Sequence, residues 1–220
     1  MSATNTGLSL VVLRNVPLFA ELNEAELEKI SRVSSRKRVE RGAFVVHAGD
    51  STDSLYILLS GRAKVTNTDS DGREIILAWL GQGEFFGEMG LIDGSPRSAN
   101  VVATETCELL VLSKEAFHRC MQDNFQVAQR LMQILVHRLR EADRNIESLA
   151  LLDVYGRVAR LLLELSEEDD GRRVVKNKIS KQDMARMIGA SREMVSKVMR
   201  DLELSGFVTT EGKLLVIQGD

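Results

Sequence analysis

Two groups of residues have the types and spacing to do chemistry. The first runs Gly87-Glu88-Met89-Gly90-Leu91-Ile92-Asp93-Gly94-Ser95-Pro96-Arg97-Ser98-Ala99. Gly87 and Gly90, with Met89 between Glu88 and Gly90, permit close backbone approach, and the N–H groups beside them can form an anion nest. The Glu88 carboxylate can accept hydrogen bonds from a ribose hydroxyl. Arg97 can grip a phosphate through two oxygens, and Ser98 adds an O–H donor. These side chains describe a well for a small nucleotide. They describe equally a Glu–Arg ion pair that ties down a loop.

The second group lies within residues 180–207. Ser180-Lys181-Gln182-Asp183 has the spacing of a capping box and opens a helix with Met184, Ala185 and Ile188 inward. Gly189 supplies the left-handed residue that ends it, and Ser191 caps a new helix two residues later. Helix, glycine turn and capped helix are the layout of a helix-turn-helix. Val195, Val198, Met199 and Leu202 form the inner face of the second helix. Arg192, Glu193, Ser196 and Lys197 share the outer one. In a major groove Arg and Lys donate to guanine O6 and N7, and Glu accepts from cytosine N4. Ser180, Gln182 and Ser191 stand at helix starts, where hydroxyls, amides and backbone N–H groups meet phosphates. Residues 206–216 read as a β-hairpin, hence a wing. Charge alone would fit a helical hairpin with a solvated face. Charge together with two caps, a glycine turn and a wing fits a DNA reader.

Other chemistry finds little support. Ser98 and Ser191 lack an associated His in sequence, so no nucleophile–base arrangement indicates an enzyme. Cys107 and Cys120 form no CxxC or Cys/His cluster, which argues against zinc, iron–sulfur and a disulfide framework and for a reduced, cytoplasmic setting. His47, His118 and His137 form no ligand pair; surface or packing roles suit them.

These residues need elements to hold them. Residues 17–33 read as short helical pieces, with a capping box at Asn23-Glu24-Ala25-Glu26. Across residues 39–112 short apolar runs alternate with glycines, and Asp71-Gly72 is a hairpin turn. That pattern predicts an antiparallel β-sandwich or jelly roll. Residues 114 to about 152 are helical, with a long helix from about Phe125. Ala128, Leu131, Leu135, Leu139, Ala142, Ile146 and Leu149 form a seam of about three heptads. It suits either packing on its own domain or a dimer coiled coil, and its length favours the dimer. Asp153 caps the next helix and marks a hinge. Residues 167–171 read as a solvated acidic turn, and Lys178-Ile179 as the end of a short strand. The fold class is α+β: an N-terminal β jelly roll over residues 1–124, a dimerisation helix over 125–152, and a winged helix-turn-helix over 153–220.

Bulk properties agree with that division. The chain of 220 residues suits two domains. Its net charge of −3 conceals ten Lys/Arg against six Asp/Glu from residue 172 onward, so the basic end suits a polyanion and the acidic remainder does not. Residues 1–10 do not have the pattern of a signal peptide, and no run of about 18 apolar residues is present to span a membrane.

Residues 188–198, Ile-Gly-Ala-Ser-Arg-Glu-Met-Val-Ser-Lys-Val, resemble the recognition helix of the cAMP receptor protein/fumarate-nitrate regulator family of bacterial regulators. Phe-Gly-Glu-Met-Gly-Leu and Pro-Arg-Ser-Ala resemble the phosphate-binding cassette of that family's cyclic-nucleotide-binding domain. The likeness covers roughly residues 15–218 in the order sensor, long helix, winged module. It implies a homodimer that binds promoter DNA, with RNA polymerase as partner and a cyclic nucleotide, cAMP or cyclic di-GMP, as a dissociable effector at Glu88 and Arg97. Two departures follow from it. Lys197 stands where the family's base-reading trio has Arg, which implies a relaxed half-site, because Lys lacks the bidentate fork. Counting back from Leu-Asp-Val puts Ala142 and Asp143 where the cAMP-binding branch presents a Thr-Ser pair to adenine, so neither supplies a hydroxyl. The oxygen-sensing branch needs an N-terminal cysteine cluster, which is absent. The rival readings are a regulator that needs no ligand and a nucleotide sensor acting mainly through protein contacts.

Overall fold

A computed structural model describes residues 6–176, 179–212 and 214–218. The readings that fall on residues 1–5, on Lys178 and on Lys213 lie outside the described residues. The chain divides into two compact units, Met1–Arg138 and Leu139–Asp220.

The first unit is built on two antiparallel sheets. One runs β1 (Ser34–Val39), β8 (Cys107–Ser113), β3 (Ser54–Ser60), β6 (Phe85–Phe86). The other runs β2 (Phe44–Val46), β7 (Asn100–Ala103), β4 (Ala63–Thr68), β5 (Glu74–Leu80). Alternation along β3 and β8 sends residues to both faces. Tyr56, Leu58, Cys107 and Leu109 join Val45, Ala63, Leu80 and Val101 between the sheets. Leu55, Ile57, Leu110 and Leu112 point the other way. They pack under α1 (Thr6–Arg14), α2 (Glu24–Val33), α4 (Lys114–Asp123) and the start of α5 (Phe125–Leu151). The Asn23 capping box forms as expected, and Ser113 caps α4.

Three features of this unit were not expected. α1 extends the helical region toward the N-terminus, burying Leu13. β1 is a strand although Ser-Ser-Arg-Lys-Arg has no apolar alternation. It is an edge strand held by backbone pairing to β8, with only Val39 buried. The glycine-rich segment also contains a short helix, α3 (Glu88–Asp93), between left-handed Gly87 and Gly94.

The seam on α5 divides. Leu131 is buried and Leu135 half-buried against the unit's own core, so this part takes the local-packing alternative. Leu139, Ala142, Ile146 and Leu149 of the seam are exposed; Met132 and Val136, which lie outside it, are exposed as well.

In the second unit, Asp153 caps α6 (Val154–Leu165) by accepting from the Gly156 N–H at 2.8 Å. α6, α7 (Lys181–Ile188) and α8 (Arg192–Leu204) enclose a core that includes Val158, Leu162, Met184, Ile188, Val195 and Leu202. Each such side chain, removed from water, contributes about 2 kcal/mol. A sheet of order β11 (Val208–Glu211), β12 (Leu214–Ile217), β10 (Arg172–Val175), β9 (Glu167–Asp169) accompanies them. The acidic segment is therefore not simply a turn. Glu167–Asp169 is a strand paired with β10, steadied by Lys176 at 3.7 Å from Glu167 and 3.4 Å from Asp169, and the reversal comes at Asp170-Gly171. No helix among the described residues is long and apolar enough to cross a membrane.

Candidate functional site

In the first unit, Gly87 opens α3 at φ 90°, and a Cβ there would run into the Arg97 guanidinium. Only glycine satisfies both the backbone and the contact. Gly90 is as tightly placed: a Cβ would meet the Ser95 carbonyl and the Thr52 hydroxyl. With this close approach, Arg97 Nη1 donates to the Gly87 carbonyl at 3.0 Å and Nη2 to the Ser54 carbonyl at 2.7 Å. Its guanidinium lies 5.5 Å from the centre of the Tyr56 ring, which in turn stacks on Phe86. The Arg97 side chain is only 4% exposed, with Asp53 at 3.7 Å as its nearest carboxylate. A cavity of about 250 Å³ opens beside it, lined by Val45, Val46, Tyr56 and Arg97 with Asp50, Ser51 and Asp53. Among the described residues the Ser98 hydroxyl makes a long 3.9 Å contact to the Met89 sulfur. Met89 itself is exposed.

Glu88 is 3% exposed and pairs with neither Arg97 nor a loop cation. Its partner is Arg138 of α5, at 2.7 Å from Oε1. Arg138 also donates to the Phe85 carbonyl at 2.8 Å and lies over the Phe85 ring. The ion pair considered from sequence therefore exists with a different cation. Glu88 Oε2 is buried and has no hydrogen-bond partner among the described residues. An ionised oxygen stripped of water and unpaired is costly. A hydroxyl donor from a ligand would satisfy it, so the residues present fit a sugar-bearing anion. Sequence reasoning missed Arg138. The available signal was its register: it lies three and four residues beyond Leu135 and Ile134, which pack on the core.

Ala142 and Asp143 lie on α5 in the second unit and are exposed. Burial raises the Cys107 thiol pKa and pushes that of Cys120 up to about 11, so neither has thiolate character at neutral pH. His118 is hydrogen-bonded to the Leu91 carbonyl at 2.9 Å, and His47 stacks on Phe44. No group of three metal-ligating side chains occurs among the described residues.

In the second unit the helix-turn-helix has its expected local structure. Gly189 sits at φ 63°, ψ 46° and donates to the Ala185 carbonyl. Ser191 accepts from the Met194 N–H at 3.2 Å. Ser180 accepts from the Asp183 N–H at 3.0 Å, and its own hydroxyl donates to the Asp183 carboxylate at 2.7 Å. That carboxylate therefore accepts from the Ser180 hydroxyl, where in a reciprocal box it would accept from the Ser180 backbone N–H. On α8, Val195, Val198, Met199 and Leu202 are buried, while Arg192, Glu193 and Lys197 are exposed and Ser196 is half-buried. Gln182 and Ser191 are exposed. Arg200, one turn beyond Ser196 and Lys197, is an exposed cation that the sequence reading left out. In the wing Val208 pairs with Ile217 through Glu211 with Leu214, and Arg172 reaches Glu211 at 3.4 Å.

Residues 36–124 match the family model for a cyclic nucleotide-binding domain, and residues 156–219 match that for a Crp-like helix-turn-helix domain. The chain is 36% identical over 200 residues to the cAMP-activated global transcriptional regulator Vfr of Pseudomonas aeruginosa, covering 88% of this chain and 94% of Vfr. It is 36% identical over 182 residues to the cAMP-activated global transcriptional regulator CRP of Haemophilus influenzae, covering 80% of each. Among solved structures, the c-di-GMP responsive global regulator CLP of Xanthomonas campestris superposes with a TM-score of 0.76 at 31% identity, covering 90% of this chain and all of that one.

Proposed function

The chain belongs to the cAMP receptor protein/fumarate-nitrate regulator family of transcription regulators, and from that premise we propose that it is a homodimeric, cyclic-nucleotide-controlled reader of promoter DNA. In this reading residues 1–124 are the sensor, 125–152 the dimerisation helix and 153–220 the DNA-binding domain. It acts on the chromosome in the cytoplasm, with RNA polymerase as protein partner.

The observation that carries the DNA assignment is α8 itself. One face buries Val195, Val198, Met199 and Leu202, and the other presents Arg192, Glu193 and Lys197 to solvent, with Met194 exposed beside them. A helix so divided can enter a major groove without disturbing its own core. Arg192 and Lys197 donate to guanine edges, Glu193 accepts from cytosine, and Ser196 adds a hydroxyl. Gln182 and the capped starts of α7 and α8, at Ser180 and Ser191, face phosphates. The Ser180 hydroxyl is committed to Asp183, so its contribution comes from the backbone.

For the effector, the unpaired Oε2 of Glu88 takes a ribose hydroxyl while Arg138 remains on Oε1. Arg97 turns its unused donors to the phosphate, and Ser98, freed from its weak sulfur contact, supports it. Gly87, Met89 and Gly90 form the floor of the cassette. Vfr is cAMP-activated and CLP is c-di-GMP responsive, so both effector types are tested. Ala142 and Asp143 bring no hydroxyl to the base, which favours a contact other than the one a Thr-Ser pair would make. Effector binding shifts the dimer between conformations that differ at the Asp153 hinge and hence in the spacing of the two α8 helices.

Calorimetry with cAMP, cGMP and cyclic di-GMP tests the sensor. Heat is expected from at least one, and Arg97→Ala should weaken it by roughly 30-fold or more, as befits a lost charge-assisted phosphate contact. Heat from none would leave a regulator that needs no ligand.

A further inference from the structure

Arg157 sits in the first turn of α6, four residues after the Asp153 cap, and donates its backbone N–H to the Asp153 carbonyl at 3.0 Å. Its side chain leaves the helix for a distant partner: Nη1 donates to the Ile188 carbonyl at 2.7 Å. Ile188 is the last residue of α7, so its carbonyl has no helical donor of its own. A cation at that end also complements the helix dipole. The turn is enclosed from a second side. A Cβ on Gly189 would stand 3.6 Å from Leu149 Cδ2, near the end of α5, and 3.9 Å from Arg157 Nη1.

We infer that Arg157 is a positioning residue: it locks the turn of the helix-turn-helix to the hinge end of α6 and so sets where α8 presents Arg192, Glu193 and Lys197. The inference rests on the DNA-reading assignment made above. Two observations separate it from ordinary packing. First, Arg157 Nε is buried with no partner among the described residues. A side chain kept for stability alone would not bury an unsatisfied donor, because a Met stem fills similar space without that cost. Second, Val158, Leu161 and Leu162 already join α6 to α7 and α8 through apolar contact. Apolar contact is non-directional. It sets the distance between helices and leaves their rotation loosely held, whereas one short, charge-assisted bond to a fixed carbonyl does not. Ser191, the cap of α8, comes three residues after Ile188, so a shift at Ile188 moves the first turn of α8 with it.

The test uses the full-length chain and two variants, Arg157→Met and Arg157→Lys. The probes are a duplex enriched by the unsubstituted protein from a random-sequence pool and a shuffled duplex of equal length. Failure to enrich any duplex, whether cAMP, cGMP and cyclic di-GMP are absent or each is supplied, would refute the DNA-reading assignment before the variants are used. Given an enriched duplex, Arg157→Met should lower its affinity about ten-fold, the size of a lost charge-assisted bond. Affinity for the shuffled duplex should stay within about two-fold, since phosphate attraction is untouched. Arg157→Lys, which keeps a charged donor able to reach one carbonyl, should recover more than half of the loss. Equal losses on both duplexes, no loss on either, or no recovery with Lys would each overturn the inference. If Arg157→Met does not fold by circular dichroism, Arg157→Gln takes its place, with the same loss expected on the enriched duplex alone, the same recovery expected with Lys, and the same outcomes overturning the inference.

Discussion

Glu88 and Arg97 share a dense motif, yet their energetics differ. Arg97 spends two donors on carbonyls, and its packing over Tyr56 fixes the guanidinium before any ligand arrives. Glu88 has one oxygen paired with Arg138 and one without a partner among the described residues. Removing Arg138 would leave a buried carboxylate wholly uncompensated. Arg138→Met should therefore destabilise the first unit by about 2 kcal/mol, below the figure for a fully buried pair because Arg138 is 34% exposed. Thermal unfolding monitors this, and Glu88→Gln in the same background should restore part of the loss. The motif was legible because its residues lie close in sequence and its glycines permit the close backbone approach it needs. Arg138 was not, because fifty residues separate it from Glu88 and a cation on a helix normally reads as solvent-facing.

Helices were easier to read than strands. Caps are local chemistry, and Asn23, Ser113, Asp153, Ser180 and Ser191 all accept the backbone N–H expected of them. Strands depend on partners distant in sequence. β1 offers no apolar alternation, and β9 is three acidic residues recruited by pairing with β10. The seam on α5 shows another limit: periodicity identifies a face but not what covers it, so Leu131 and Leu139 looked alike although only Leu131 is buried. The glycine at 189 gives a sharp test at this level. A Cβ has room, with its nearest neighbours at 3.6 Å and 3.9 Å, so Gly189→Ala is opposed by φ rather than by collision. A cost of about 1–2 kcal/mol is expected. It should appear as a lower unfolding midpoint of the second unit with α8 otherwise intact; an unchanged midpoint would mean the turn is free to relax.

The chain carries an excess of Lys and Arg from residue 172 onward and divides into two compact units. The exposed Leu139, Ile146 and Leu149 of α5 give the proposed dimer a surface. Ile146→Lys, placing a charge within that surface, should convert dimer to monomer in light scattering at micromolar concentration while leaving the first unit folded. A dimer that survives the substitution would move the interface elsewhere. The decisive observation is selection from a random-sequence duplex pool by the full-length protein, with cAMP, cGMP and cyclic di-GMP present together. The expected product is a paired motif whose half-sites lie about 10 bp apart, one helical turn, and which Lys197→Ala degrades at defined positions. Enrichment of no sequence, or of a motif that Lys197→Ala leaves unchanged, would contradict the assignment of α8 as the element that reads DNA.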